Sequence, residues 1–171
     1  MKKKIIKPAD QIQDLQYFGE YGGVNPSIAD SSTFTYLAGK TMGDVFEGNR
    51  EGCYLYSRHT NPSTSYLGEA LAKMEYLNAS ILTSSGMAAI SATILELCSS
   101  EDHIVSSRTI YGGTYALMKN YLTKFNINTS FVDVTDYTAI TKAITKNTKI
   151  LYCETISNPL LEVADLSKLS E

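Results

Sequence analysis

HIVSSRTIYGGTYALMKNYLTKFNINTSFVDV, residues 103–134, decides the fold. It opens on a short apolar run, His103 to Ser106, that reads as a strand. Tyr115, Met118, Leu122 and Phe125 then recur at helical spacing, so 114–125 reads as a helix with one apolar stripe. Thr129 to Val134 reads as the next strand. Strand, helix and strand joined by short connections mean a parallel sheet with helices on its faces, linked by right-handed crossovers.

The alternation extends in both directions. Upstream, Leu67, Ala70, Leu71, Met74 and Leu77 predict a helix over 65–77, with Asn78 as its stop. Residues 79–83 read as a short buried strand. Residues 87–98 are apolar nearly all round, which predicts a deeply buried helix. Downstream, 136–146 reads as a helix with Tyr137, Ile140 and Ile144 inward, and Lys149 to Cys153 as a fourth strand. Residues 1–60 differ. Gly22-Gly23, Asn25-Pro26 and single glycines at 39, 43, 48 and 52 interrupt any long helical period. They read as an extended N-terminal arm lying on another surface, its own or a neighbouring subunit's, with 61–171 as the packed part.

The chain has 171 residues, 43% hydrophobic and 19% charged, the balance of a soluble globular protein. A net charge of −3 argues against a general nucleic-acid binder. Cys53, Cys98 and Cys153 are odd in number, far apart and form no CxxC pair, as expected of reduced thiols rather than a disulfide framework or a zinc site. MKKKIIK at the start is followed by no apolar stretch of the secretory kind, and no run approaches membrane-spanning length. The expectation is a cytoplasmic protein.

In open parallel sheets, ligands bind beyond the carboxyl ends of the strands. Ser84-Ser85-Gly86-Met87 falls at such an end and opens a helix. The first N–H groups of a helix have no internal partner and favour an anion such as phosphate. A plain strand-to-helix turn capped by serine is the alternative. Tyr111-Gly112-Gly113-Thr114 follows the next strand, and Tyr111 could stack on a planar heterocycle and relay a proton, or simply be a core tyrosine. Cys153-Glu154-Thr155-Ile156-Ser157-Asn158-Pro159 follows the last strand. There Asn158, held extended before proline, could hydrogen-bond a ligand oxygen or merely mark a turn. Tyr56-Ser57-Arg58-His59-Thr60-Asn61-Pro62 ends the arm, and Arg58 carries a guanidinium suited to phosphate or to a surface ion pair. His59 has no neighbours at metal-ligand spacing, so no metal site is expected.

YSRxxNP, SSGMAAI, YGGTYAL and CETxSNP, in this order and spacing, resemble the pyridoxal-phosphate enzymes of cysteine and methionine metabolism. That family includes cystathionine γ-synthase, cystathionine γ-lyase, methionine γ-lyase and O-acetylhomoserine sulfhydrylase. The resemblance runs from about Gly22 to the last residue. It implies fold type I, the three-layer α/β/α large domain of the aspartate aminotransferase kind with a mostly parallel sheet. It implies pyridoxal 5'-phosphate as cofactor, and γ-elimination or γ-replacement on methionine, cystathionine or an activated homoserine. The N–H groups of Gly86 and Met87, with Ser85 beside them, would hold the phosphate. Tyr111 would stack on the pyridine ring and act in proton transfer at the γ-leaving group. Asn158 would bond the ring's phenolic oxygen, with Glu154 nearby. Tyr56 and Arg58 would reach the phosphate of a neighbouring subunit, which implies a homo-oligomer, dimer or tetramer.

The chain departs from the family pattern in three places. Ile156 stands where many members have proline, and Gly113 where some methionine γ-lyases have cysteine. None of the twelve lysines lies in a motif, and the family's Schiff-base lysine, pyridine-nitrogen aspartate and C-terminal domain fall beyond residue 171. The expectation is therefore an N-terminal portion that is inactive alone. A truncated non-catalytic paralogue, or half of a split enzyme that assembles with a longer or complementary chain, is the alternative.

Overall fold

Three short strands pair in parallel: β1 (His103–Ser107), β2 (Asn128–Val132) and β3 (Thr148–Tyr152), in the order β2-β1-β3. The register aligns His103 with Asn128 and Ser107 with Val132 on one side. On the other side Ile104 faces Ile150 and Ser106 faces Tyr152, after an irregularity at His103/Ile104. The central strand is buried from Ile104 to Ser107, as expected of a strand paired at both edges and covered on its faces. β2 and β3 are half-buried. All three strands lie where the apolar runs predict them, within one or two residues.

This computed structural model describes residues 22–50 and 52–171. The chain divides into two units between Leu82 and Thr83. In the first unit, helix α1 (Gly39–Phe46) has no buried residue, and α2 (Pro62–Met74) buries Gly68, Ala70 and Ala72. α2 begins and ends three residues earlier than its apolar spacing suggests. Pro62 is tolerated at the first helical position because its missing N–H would have no partner there. The chain leaves the helix through a left-handed Tyr76 (φ 57°), so the stop is not Asn78.

The expected strand over 79–83 is absent. A strand exists only by pairing, and this segment has no ladder partner among the described residues. It is open to solvent, with Ile81 91% exposed. It lies instead along α2: the Ser80 hydroxyl donates to the Gly68 carbonyl (2.7 Å), and a β-carbon at Gly68 would come within 3.2 Å of the Ser80 carbonyl oxygen.

The second unit is built on the sheet. Helix α3 (Gly86–Leu97) contributes Ile94, and Cys98 just after it, to a core with Ile104, Ile110, Met118, Leu122 and Ile127. It is not buried all round, because one side of a helix suffices to cover so small a sheet, and Leu95 and Leu97 face out. The expected helix over 114–125 is three turns of different kinds. It runs as α4 (Gly112–Ala116), then a π turn (Leu117–Tyr121), then a 3₁₀ turn (Leu122–Phe125) ending at left-handed Asn126. The wide π turn shifts the phase of the stripe. Met118 and Leu122 are buried, whereas Tyr115 and Phe125 are exposed. Helix α5 (Tyr137–Ala143) is capped by Asp136 and buries Ile140, but Ile144 falls past its end and is exposed. A short α6 (Leu166–Leu169) completes the chain. Among the described residues no helix is long and apolar enough to cross a membrane.

Candidate functional site at the carboxyl edge of the sheet

After β1 the chain is held by Arg108 N–H on the Val132 carbonyl (2.8 Å) and by the buried Ile110. Tyr111 follows as the N-cap residue of α4, and its ring is half exposed. That exposure sets aside the core-tyrosine alternative. A β-carbon at Gly113 would stand 2.5 Å from Cε1 of Tyr111 and 3.2 Å from Cδ1 and Cζ. The ring therefore lies over the bare Cα of Gly113. Glycine gives the ring this seat through space rather than backbone freedom, since this residue has no left-handed φ.

After β3 comes Glu154, then a loop closed on itself. Ile156 bridges Val163, Ala164 N–H donates to the Thr155 carbonyl (3.1 Å), and buried Ser157 exchanges bonds with Glu162. Ile156 thus sits in a bridged pair. Asn158 is exposed, and its side-chain amide makes no hydrogen bond among the described residues. Its backbone N–H donates to Oε2 of Glu154 (3.2 Å), while Oε1 of Glu154 accepts from the Tyr111 N–H (2.8 Å). One carboxylate joins the two loops. Burial first, and the Glu154 charge second, push the Cys153 thiol up from its ordinary value. Burial likewise raises the Tyr152 phenol, against a lowering hydrogen bond from Thr114.

α3 starts at the same edge. Ser85 caps it, its Oγ accepting from Ala88 N–H (3.0 Å). The hydroxyl proton of Ser85 stays available, as do the N–H groups of Gly86 and Met87, which no helical carbonyl can reach. Nothing lies within 4 Å of where a β-carbon at Gly86 would stand, so the approach to these donors is open. This geometry fits a phosphate. The side chain of Met87 turns inward, where Thr114 Oγ1 donates to its Sδ (3.8 Å). Thr114 is fully buried, and its hydroxyl acts on the Tyr152 phenol to pull its pKa down. It brings the start of α3, the start of α4 and the end of β3 together. Thr114 closes the YGGT motif, and no spacing in the sequence marks it out.

Of the expected site residues, the structure therefore gathers Met87, Tyr111, Glu154 and Asn158, with Ser85 and Gly86 one or two residues along α3. Tyr56 and Arg58 belong to the first unit and form a pair of their own. The Arg58 guanidinium carbon stands 5.2 Å from the Tyr56 ring centroid. Arg58 makes no salt bridge among the described residues. The two residues line a hollow of about 410 Å³ with Phe34, Tyr36, Met42 and Phe46. Among the described residues no group of three or more His, Cys, Asp or Glu could hold a metal ion.

The family model described as Cys/Met metabolism PLP-dependent enzyme matches residues 10–171. A methionine gamma-lyase of Arabidopsis thaliana is 46% identical over 169 residues, 95% of this chain and 38% of that protein. A solved Campylobacter jejuni structure containing N'-pyridoxyl-lysine-5'-monophosphate matches with a TM-score of 0.86 at 30% identity, over 96% of this chain and 41% of that one. Cystathionine gamma-lyase from Lactobacillus plantarum, solved with L-serine, matches with a TM-score of 0.81 at 30% identity, again over 96% of this chain and 41% of that one. The chain spans about two fifths of the length of these relatives. The likeness shows the fold, that of the fold type I enzymes over the part the chain spans. The chain belongs to the Cys/Met metabolism family of PLP-dependent enzymes.

Proposed function

We propose that this chain supplies the phosphate- and ring-binding part of an enzyme that carries out γ-elimination or γ-replacement on sulfur amino acids or activated homoserines. The observation that carries the reading is the shared edge where the open start of α3 meets the Tyr111 and Asn158 loops, linked by Met87 and Thr114. Pyridoxal phosphate, when bound, supplies an electron sink for carbanions next to the substrate's amine. The chain's own residues do the rest. Gly86 and Met87 donate backbone N–H groups, and Ser85 its hydroxyl proton, to the phosphate. The half-exposed Tyr111 ring covers the heterocycle, and its hydroxyl moves a proton at the leaving group. The free Asn158 amide donates to the phenolic oxygen. Tyr56 and Arg58, already paired as a cationic and aromatic surface, reach a neighbouring subunit's phosphate in a homo-oligomer.

None of the twelve lysines falls in these motifs, and three of them hold aromatic rings elsewhere: Lys119 with Tyr115, Lys124 with Tyr121 and Lys168 with Tyr137. We therefore propose that residues 1–171 alone bind the cofactor without turning over substrate, and that a longer or complementary chain supplies the covalent anchor.

Gly86→Pro tests the phosphate role with little damage to the fold. Proline suits the first helical position, Ser85 before it is already extended (φ −159°, ψ 158°), and the space around Gly86 is open. The variant loses one donor, and its affinity for pyridoxal phosphate, read by absorbance titration, should fall about tenfold, the worth of one charge-assisted bond. An unchanged affinity refutes the phosphate site. Borohydride trapping of a lysine adduct, together with turnover of methionine or cystathionine, refutes the second proposal.

A further inference from the structure

We infer that Glu154 is a positioning residue that holds Tyr111 and Asn158 in place together. The inference rests on the functional reading above. An ionised carboxylate only accepts hydrogen bonds, and both oxygens of Glu154 already accept one: Oε1 from Tyr111 N–H at 2.8 Å, Oε2 from Asn158 N–H at 3.2 Å. The two donors lie on loops that leave adjacent parallel strands, β1 and β3. Each is the backbone N–H of a residue whose side chain faces outward with no other restraint of its own, the Tyr111 ring apart from its seat on Gly113. A shift of the Glu154 side chain moves both loops at once. Charge-assisted bonds of this kind are about twice as strong as neutral ones, so one carboxylate suffices to fix two loop tips.

Glutamine keeps the shape but offers one acceptor oxygen and a donor amide, so Glu154→Gln can satisfy only one of the two N–H groups. Glu154→Ala satisfies neither. Residue-resolved hydrogen exchange on the full chain should show both amides, Tyr111 and Asn158, exchanging at least about tenfold faster in Glu154→Ala, and at least one of them in Glu154→Gln, while Val105 and Leu151 in the sheet stay protected. In the wild type both amide protons should also resonate downfield, as expected of bonds to a charged acceptor, and both should move upfield in Glu154→Ala and at least one of them in Glu154→Gln, an outcome a merely space-filling role would not give. Affinity for pyridoxal phosphate should fall about tenfold in both variants.

Unchanged exchange, or amide shifts that do not move in the variants, overturns the link. Altered exchange with wild-type cofactor affinity, while Gly86→Pro still binds less, overturns the positioning role. If the wild type binds no pyridoxal phosphate, the functional reading falls and the positioning role with it, and the exchange data distinguish this from a broken link. The isosteric glutamine variant keeps the test valid should the alanine variant unfold.

Discussion

The molecule contains the dipeptide Asn-Pro at two of its motifs, and the two copies do opposite things. Asn61, before Pro62, is 7% exposed. Its side-chain oxygen accepts from Ser63 N–H (2.9 Å), and its amide nitrogen donates to the Ala29 carbonyl (3.0 Å) and to Ser57 Oγ (2.9 Å). Every polar direction of that amide except one lone pair is occupied by the protein. Asn158, before Pro159, has the same chemistry and is exposed, with its amide unengaged among the described residues. Only its backbone is held, through Glu154. A short motif does not say whether its polar group serves the fold or faces a ligand. Burial and a count of the bonds already made do.

The largest effect that would break this contrast belongs to Asn61→Ala. The change removes a helix cap, worth about 1 kcal/mol, and leaves the half-buried Ala29 carbonyl and Ser57 hydroxyl without this donor, at about 1 kcal/mol because water reaches them in part. The expected loss is about 2 kcal/mol by urea unfolding. A loss within about 0.5 kcal/mol would place Asn61 with ordinary surface residues and dissolve the contrast. Ser85→Ala comes next, at about 1 kcal/mol, because Ser85 is engaged on one side only. Its oxygen caps α3 through Ala88, while its proton is free. Stability and cofactor affinity should both drop, and a fall in only one would assign the hydroxyl wholly to fold or to ligand. Gly113→Ala should cost about 1 kcal/mol or less, since the half-exposed Tyr111 ring can swing aside. Cofactor affinity should fall with it, and wild-type affinity would mean that the ring's seat is irrelevant. Asn158→Ala should leave unfolding within about 0.5 kcal/mol of the wild type and still weaken cofactor binding. A larger stability loss would show that its amide has a partner in the fold.

The same distinction explains what could be read from the sequence. β1, β2 and β3 were legible because each is a short apolar run bounded by turn residues, and their parallel pairing follows from the helices between them. The segment at 79–83 has the same local look, yet pairing is not a local property, and Ile81 stands in solvent. α1 was hidden because Gly39 and Gly43 sit inside GKTMGDVF, where they argue against a helix. The π turn in LMKNY leaves no trace in spacing, whereas Asn126, a residue that tolerates the left-handed region, marks the end of the 3₁₀ turn that follows it. At the candidate site, Tyr111, Gly86 and Asn158 stand out by their motifs. The hydrogen bonds of Glu154 could not be read, because one of its partners lies 43 residues away. Thr114 escaped for a related reason: a buried hydroxyl matters through what it meets, Met87 and Tyr152, and neither is near it in sequence.

Exposure alone is not the criterion, and Asp133, in the loop after β2, tests that point with the smallest expected effect. Its Oδ1 accepts from Thr135 Oγ1 (2.7 Å) and Thr135 N–H (2.9 Å), and its Oδ2 meets Arg108 at 2.7 Å. The Thr135 hydroxyl first, its backbone N–H next, and Arg108 after them hold the Asp133 carboxyl below the usual range. A carboxylate depressed in the folded state stabilises the fold above its unfolded value, and that contribution fades as the pH falls through the lower, folded value. Solvent screens the ion pair, so the effect is small. In urea unfolding at a series of pH values, the wild type should exceed Asp133→Asn at neutral pH, and the gap should close on acidification. A gap that stays constant or widens in acid would mean that the partners of Asp133 do not favour its charged form. Asp133 would then stand with Asn158, as a polar group the fold leaves unengaged.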